Sequence, residues 1–133
     1  MVIRRLLIAD DDEDYLNLMS IILRNEGYAV DCAYNGSDAV NKAINERYDA
    51  VLSDYIMPGI KGDEVAKQIR SIDPNVNIIL MTGYKSGIDT SKLTLFNTVL
   101  EKPVNPDVIL TVLREITGIG RASLDVAMTT VED

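Results

Sequence analysis

Short apolar runs alternate with longer stretches of amphipathic helical spacing along most of the chain. The apolar runs, mostly rich in Val, Ile and Leu, are Val2–Ala9, Ala29–Tyr34, Ala50–Ser53, Val76–Met81 and Thr98–Leu100. Short runs that are apolar on both faces are typical of strands in a parallel sheet covered by helices on both sides. The alternation therefore predicts an α/β protein of five βα units with right-handed crossovers.

Helix signals fill the stretches between these runs, where apolar side chains recur every three or four residues. Ser37 is a candidate N-cap for the second helix, and Asn105 followed by Pro106 predicts the start of the last helix. The stretch Lys85–Asn97 has only a partial apolar stripe and is rich in Ser, Thr and Gly. We therefore predict that the fourth helix is short or irregular.

The length of 133 residues limits the ways of arranging five such units. A TIM barrel needs about twice this length, whereas a doubly wound, flavodoxin-like arrangement fits it. We predict three α/β/α layers with a parallel sheet in the order 2-1-3-4-5 and five helices. Residues 1–118 would form this domain, and residues 119–133 would be a C-terminal tail or a linker.

Charge and composition exclude several classes of function. The net charge is −8, and without a basic run the domain is a poor candidate for direct binding of nucleic acid. Histidine is absent and Cys32 is the only cysteine, so histidine catalysis, a cysteine zinc site and an internal disulfide are excluded. Neither a signal peptide nor an apolar run of the ~20 residues needed to span a membrane is recognisable. We therefore expect a cytoplasmic protein.

Polar residues follow four of the five apolar runs, and the carboxyl ends of parallel strands share one edge of a sheet. Asp10 and Asp11 follow the first run, Asp54 the third, Thr82 the fourth and Lys102 the fifth. Clustered carboxylates repel one another unless a cation intervenes, and an all-oxygen set of ligands suits Mg²⁺. The lysine and the threonine would help to neutralise a phosphoryl group arriving at Asp54.

Four segments in this order resemble the signature segments of response-regulator receiver domains of two-component signal transduction. They are LLIADDDEDYLNLM, DAVLSDYIMPGIKG, IILMTG and LEKPV, and the resemblance covers residues 3–117. It implies that Asp11 binds Mg²⁺ directly and Asp10 through water. Asp54 and the backbone carbonyl of Ile56 would complete the metal site.

The same resemblance implies a phosphorylation switch rather than an enzyme of the usual kind. Asp54 would accept the phosphoryl group from the phosphohistidine of a sensor histidine kinase or a phosphotransfer protein. The domain would assist only its own phosphorylation. Assistance to its own dephosphorylation stays open. Thr82 would then move toward the phosphoryl group, Lys102 would pair with it, and the face of helix four, strand five and helix five would change.

One departure from the family pattern keeps a second hypothesis open. Val99 stands where receiver domains commonly have the aromatic residue that swings inward on activation. The alternative is therefore a receiver-like interaction module that works without phosphorylation. Asp11 or Asp12 could also serve only to cap the first helix. The output partner and homodimer formation stay open at this stage.

Overall fold

The computed structural model describes residues 4–117. The strands are β1 (Arg5–Ala9), β2 (Ala29–Ala33), β3 (Ala50–Ser53), β4 (Asn77–Thr82) and β5 (Thr98–Glu101). The helices are α1 (Glu13–Asn25), α2 (Gly36–Asn45), α3 (Gly62–Ile72), α4 (Thr90–Leu93) and α5 (Pro106–Thr117). Strands and helices alternate as predicted, and within the described range no helix is long and apolar enough to cross a membrane.

All five strands are parallel and lie in the order β2-β1-β3-β4-β5. This confirms the predicted flavodoxin-like α/β fold. In the sheet register Ala9 lies beside Ser53, and Thr82 lies beside Glu101. Because Ser53 lies beside Leu80 and Leu80 beside Val99, β4 and β5 extend past the ends of β1 and β3, and all four strands end at the same edge of the sheet.

Two buried apolar clusters cover opposite faces of the sheet, because alternate side chains of each strand point to opposite sides. One cluster joins Leu7, Val51 and Leu80 to residues of α2 and α3. The other joins Ile8 and Leu52 to residues of α1 and α5. This arrangement gives the three layers expected from the sequence.

Helix ends follow local sequence signals, with one correction. The carboxylate of Asp12 caps α1 by accepting the N–H of Tyr15 at 3.1 Å. The prediction of Ser37 as the cap of α2 was wrong. Asn35 holds that position and accepts the N–H of Asp38 at 2.8 Å, because α2 already begins at Gly36.

The last two helices agree with the sequence patterns. α4 has a single turn and is preceded by a 3₁₀ turn at Lys85–Gly87, which confirms the predicted short fourth helix. The side chain of Asn105 accepts the N–H of Asp107 at 2.8 Å at the start of α5. The predicted stop at Gly118, the tail 119–133 and the first residues of the run Val2–Ala9 lie outside the described residues.

Candidate functional site

Three carboxylates meet at the carboxyl edge of the sheet because β1 and β3 are neighbours. Asp10 and Asp11 follow β1 directly, and Asp54 follows β3. One carboxylate oxygen from each of them lies within 4.8 Å of the others. Asp10 is only 2% exposed, whereas Asp54 is half-buried and Asp11 is exposed. Such a group needs positive charge nearby to stay ionised.

Lys102 supplies positive charge at this edge. Its Nζ lies 2.5 Å from Oδ2 of Asp10 and 3.1 Å from Oδ2 of Asp54. Burial alone would lower the pKa of the ammonium group, but the two carboxylates outweigh burial and raise the pKa above its ordinary value. Lys102 therefore remains a fixed cation between two elements that are far apart in sequence. The Lys102–Pro103 peptide bond is cis.

Backbone contacts hold the acidic side chains in place. The N–H of Tyr55 donates to Oδ1 of Asp54 at 2.7 Å, which leaves Oδ2 directed toward Lys102. The N–H of Asp12 donates to Oδ1 of Asp10 at 3.0 Å. Because Asp12 also caps α1, Asp11 is not needed for that purpose. Its exposed carboxylate is left at the mouth of the cluster.

Close packing of α3 fixes the loop that carries Asp54. The N–H of Gly62 donates to the carbonyl of Tyr55 at 2.8 Å. A Cβ atom at position 62 would lie 2.7 Å from the Asp54 carbonyl oxygen and 2.9 Å from Cα of Tyr55. Only glycine therefore allows the helix to approach this backbone so closely.

Thr82 ends β4 at the same edge and is 1% exposed. Its Oγ1 accepts the N–H of Tyr84 at 3.1 Å. The side chains of Tyr84 and Ile56 are exposed and lie two residues beyond Thr82 and Asp54. Val99, at the position where the family commonly has an aromatic residue, is partly buried against the core on the α2–α3 side.

Three tyrosines border the site, and two of them, Tyr15 and Tyr55, were not singled out from the sequence. The Tyr15 ring lies beneath Lys102, with its centroid 4.6 Å from Nζ. The rings of Tyr55 and Tyr84 are stacked at 6.4 Å between centroids with 22° between their planes. Tyr15 and Tyr55 could have been flagged from their places directly after the acidic segment and after Asp54. Their contacts depend on side-chain directions that periodicity does not give.

The donor set fits a hard divalent cation. Carboxylate oxygens are the ligands Mg²⁺ prefers, and Mg²⁺ usually keeps several waters, which the exposed side of Asp11 would allow. The Lys102 ammonium between Asp10 and Asp54 demonstrates that this cluster already favours positive charge. The site can thus hold a cation and a phosphoryl group at neighbouring positions.

Comparison with known proteins agrees with this geometry. The family described as response regulator receiver domain matches residues 6–114. The transcriptional regulatory protein ZraR of Klebsiella oxytoca is 33% identical over 101 residues, which are 76% of this chain but only 23% of that regulator. The whole regulator's activity therefore does not transfer to this chain.

Solved structures extend the comparison to the metal site. The response regulator TrrA of Thermotoga maritima, solved in complex with Mg²⁺ and BeF, is 32% identical with a TM-score of 0.80 and covers 86% of this chain and 99% of its own. The receiver domain of a sensor histidine kinase from Pseudomonas aeruginosa, solved with a magnesium ion in its active-site cleft, is 27% identical with a TM-score of 0.80, covering 88% and 99%. Because the family match spans most of its length, the chain belongs to the response regulator receiver domain family.

Proposed function

We propose that this domain is a phosphorylation switch in which Asp54 accepts a phosphoryl group in a Mg²⁺-dependent reaction. The observation that carries the proposal is the contact of Lys102 with both Asp10 and Asp54 beside the exposed carboxylate of Asp11. This contact supplies a nucleophile, a fixed cation and a set of metal ligands within one cluster. A carboxylate is a suitable nucleophile for phosphoryl transfer.

Four groups are proposed to hold the metal: Asp11 directly, Asp10 through water, Asp54, and the backbone carbonyl of Ile56. When bound, Mg²⁺ would neutralise the charge of the phosphoryl oxygens. Two relatives were solved with magnesium, which supports a magnesium site in this domain. The carboxylate of Asp10, which contacts Lys102 in this structure, would then interact with the metal.

The donor is proposed to be a phosphohistidine of a sensor histidine kinase or of a phosphotransfer protein. An oxygen of Asp54 would form the new P–O bond as the P–N bond of the donor breaks. The imidazole nitrogen would keep the bonding electrons and take up a proton from water. Lys102 would pair with the phosphoryl oxygens, since its Nζ already lies 3.1 Å from Oδ2 of Asp54. Catalysis here is positioning and charge neutralisation.

The signal is proposed to leave the site through Tyr84, since Val99 cannot provide an aromatic switch. Thr82 would release the N–H of Tyr84 when its hydroxyl turns to the phosphoryl group. The Tyr84 ring stacks on Tyr55, and it lies so close over Gly87 that a Cβ atom there would collide with it. Gly87 ends the turn that leads into α4, so a movement of the ring would reach the α4–β5–α5 face.

The output partner and the cellular location are proposed in general terms. Relatives include a transcriptional regulatory protein and the receiver domain of the hybrid histidine kinase CckA, so the receiver fold occurs in proteins of different kinds. We infer a protein partner at the α4–β5–α5 face without identifying it. A cytoplasmic location stays a prediction from the sequence.

Intact-mass analysis of the full chain after incubation with acetyl phosphate and Mg²⁺ tests the proposal. We expect the mass of one phosphoryl group to be added to the parent, and no gain without Mg²⁺ or in Asp54→Ala. Asp12→Asn is the matched control, because asparagine can still cap α1 and the carboxylate lost is not part of the cluster. No gain in the folded parent under any condition would favour the phosphorylation-independent interaction module.

A further inference from the structure

Tyr15 lies in the first turn of α1 and contacts three residues in or beside the site. Its N–H donates to the carboxylate of Asp12 at 3.1 Å, and its hydroxyl contacts Sδ of Met81 on β4 at 3.8 Å. The face of its ring lies 4.6 Å from Nζ of Lys102. We infer that Tyr15 is a positioning residue whose ring holds the Lys102 ammonium in place for the phosphoryl group.

Lys102 needs such a support because its ionic partners change when the domain binds metal and phosphoryl group. This argument rests on the proposed function. Lysine is a point charge on a flexible four-carbon stem. Its two carboxylate partners in this structure, Asp10 and Asp54, are the groups whose charges are redirected when metal and phosphoryl group arrive. The Tyr15 ring carries no charge that the metal or the phosphoryl group could redirect, so its contact with the ammonium can persist through both events.

The ring face, rather than the hydroxyl, makes this contact. A cation over an aromatic face is attracted by the negative face of the π-system. Burial raises the pKa of the Tyr15 phenol, Lys102 opposes the increase, and the net direction is upward. The phenol therefore stays uncharged at neutral pH. Phenylalanine at position 15 should thus support Lys102 as well as tyrosine does.

The test compares Tyr15→Phe with two aliphatic replacements, Tyr15→Leu and Tyr15→Met, in the full chain. The rate of phosphorylation is measured with acetyl phosphate, whose P–O bond to acetate breaks as the bond to Asp54 forms and acetate leaves with the bonding electrons. We expect Tyr15→Phe to stay within about twofold of the parent and both aliphatic variants to be slower by about fivefold, as expected for loss of a partly buried cation–π contact.

Two further measurements separate positioning of Lys102 from general support of the fold. Mg²⁺ affinity, measured by calorimetric titration, should be unchanged or slightly higher in the aliphatic variants, since a looser ammonium repels the metal less. In the metal-free protein, the Hε protons of Lys102 should show an upfield ring-current shift in the parent and in Tyr15→Phe. This shift should be absent in the aliphatic variants.

Three results would overturn the inference. They are a parental rate in both aliphatic variants, an equal loss of rate in Tyr15→Phe, and a loss of Mg²⁺ affinity that parallels the loss of rate. The last would mean that Tyr15 acts by holding the acidic loop. Failure of the proposed function is distinguished because the parent itself would take up no phosphoryl group, and the positioning role would fall with it.

Discussion

Asp31 on β2 illustrates how neighbours tune a single half-exposed carboxylate. It accepts the hydroxyl of Tyr48 at 2.6 Å and pairs with Nη2 of Arg5 at 2.9 Å. The hydrogen bond from Tyr48 lowers the pKa of Asp31 most, burial opposes it, and Arg5 adds to the decrease. These three residues join β1 and β2 to the segment before β3, so the ionised carboxylate helps to hold the sheet together.

We expect this carboxylate to contribute to stability at neutral pH and to lose that contribution in acid. Since the pKa of Asp31 is lowered in the folded state, its stabilisation is complete above its unfolded value of about 3.9 and is lost as the pH falls through the folded value. Urea unfolding of the parent and of Asp31→Asn at several pH values tests this. The variant should lose less stability in acid than the parent. Identical pH profiles for the parent and Asp31→Asn would contradict the expectation.

Gly62 and Gly83 offer a matched pair of substitutions near the ends of β3 and β4. Alanine at position 62 would press against the backbone of Asp54 and Tyr55, whereas a Cβ atom at position 83 meets nothing within 4 Å. We expect Gly62→Ala to lower the free energy of unfolding by about 2 kcal/mol through overpacking. Gly83→Ala should change it by less than about 1 kcal/mol. Chemical denaturation measures both values, and equal effects would mean that α3 can shift away from the loop.

At the scale of elements, α4 is too short to be stable by itself and depends on contacts from α3. Lys92 of α4 pairs with Asp63 of α3 at 3.2 Å. The guanidinium of Arg70 donates from Nε to the carbonyl of Leu95 at 2.8 Å and from Nη2 to Oδ1 of Asn97 at 2.7 Å. Arg70 of α3 thus holds the segment between α4 and β5, whereas the turn packed against Tyr84 lies on the other side of α4, at Lys85–Gly87.

Tyr84→Ala should therefore separate phosphorylation from the response of α4. We expect the variant to accept a phosphoryl group, because the backbone N–H that Thr82 binds is retained. Hydrogen exchange of residues 85–97 should change on phosphorylation in the parent and in Tyr84→Phe, but not in Tyr84→Ala. A change of parental size in Tyr84→Ala would show that the signal reaches α4 by another route.

The short fourth helix could be predicted from the sequence, but its supports could not. The partial apolar stripe between Lys85 and Asn97 indicates weak helix formation directly. The contacts of Arg70 with Leu95 and Asn97 depend on a long side chain that reaches a different loop. No local sequence pattern predicts such contacts. The wrong cap at Ser37 has a local cause, because Asn35 and Ser37 are both good N-caps and only the start of α2 at Gly36 decides between them.

For the whole molecule, the alternation of strands and helices together with the chain length predicted the sheet order and the group of residues at its carboxyl edge. Asp10, Asp54 and Lys102 come together because parallel strands present their ends on one side. The direction of each side chain at that edge could not be predicted from the sequence. The contact of Lys102 with Tyr15 is an example, since it joins the start of α1 to the end of β5 through two flexible side chains.

If the acidic edge binds Mg²⁺ as proposed, the stability of the whole domain should depend on the metal. A ligand that binds only the folded state stabilises it by mass action, by about 2.7 kcal/mol at a concentration one hundred times its dissociation constant. Unfolding by urea with and without Mg²⁺ should reveal this gain in the parent. It should be lost in Asp11→Asn, which removes a proposed direct ligand. It should persist in Asp12→Asn, which changes the charge by the same amount next to the cluster.

Without metal, the effect of Asp11→Asn on the free energy of unfolding should have the opposite sign, and this comparison completes the test. Three carboxylates within 4.8 Å repel one another when no metal is bound, although Lys102 contacts two of them. Without Mg²⁺, Asp11→Asn should therefore be at least as stable as the parent, although with Mg²⁺ it should be the less stable protein. If Asp11→Asn were less stable under both conditions by the same amount, Asp11 would serve the fold rather than the metal.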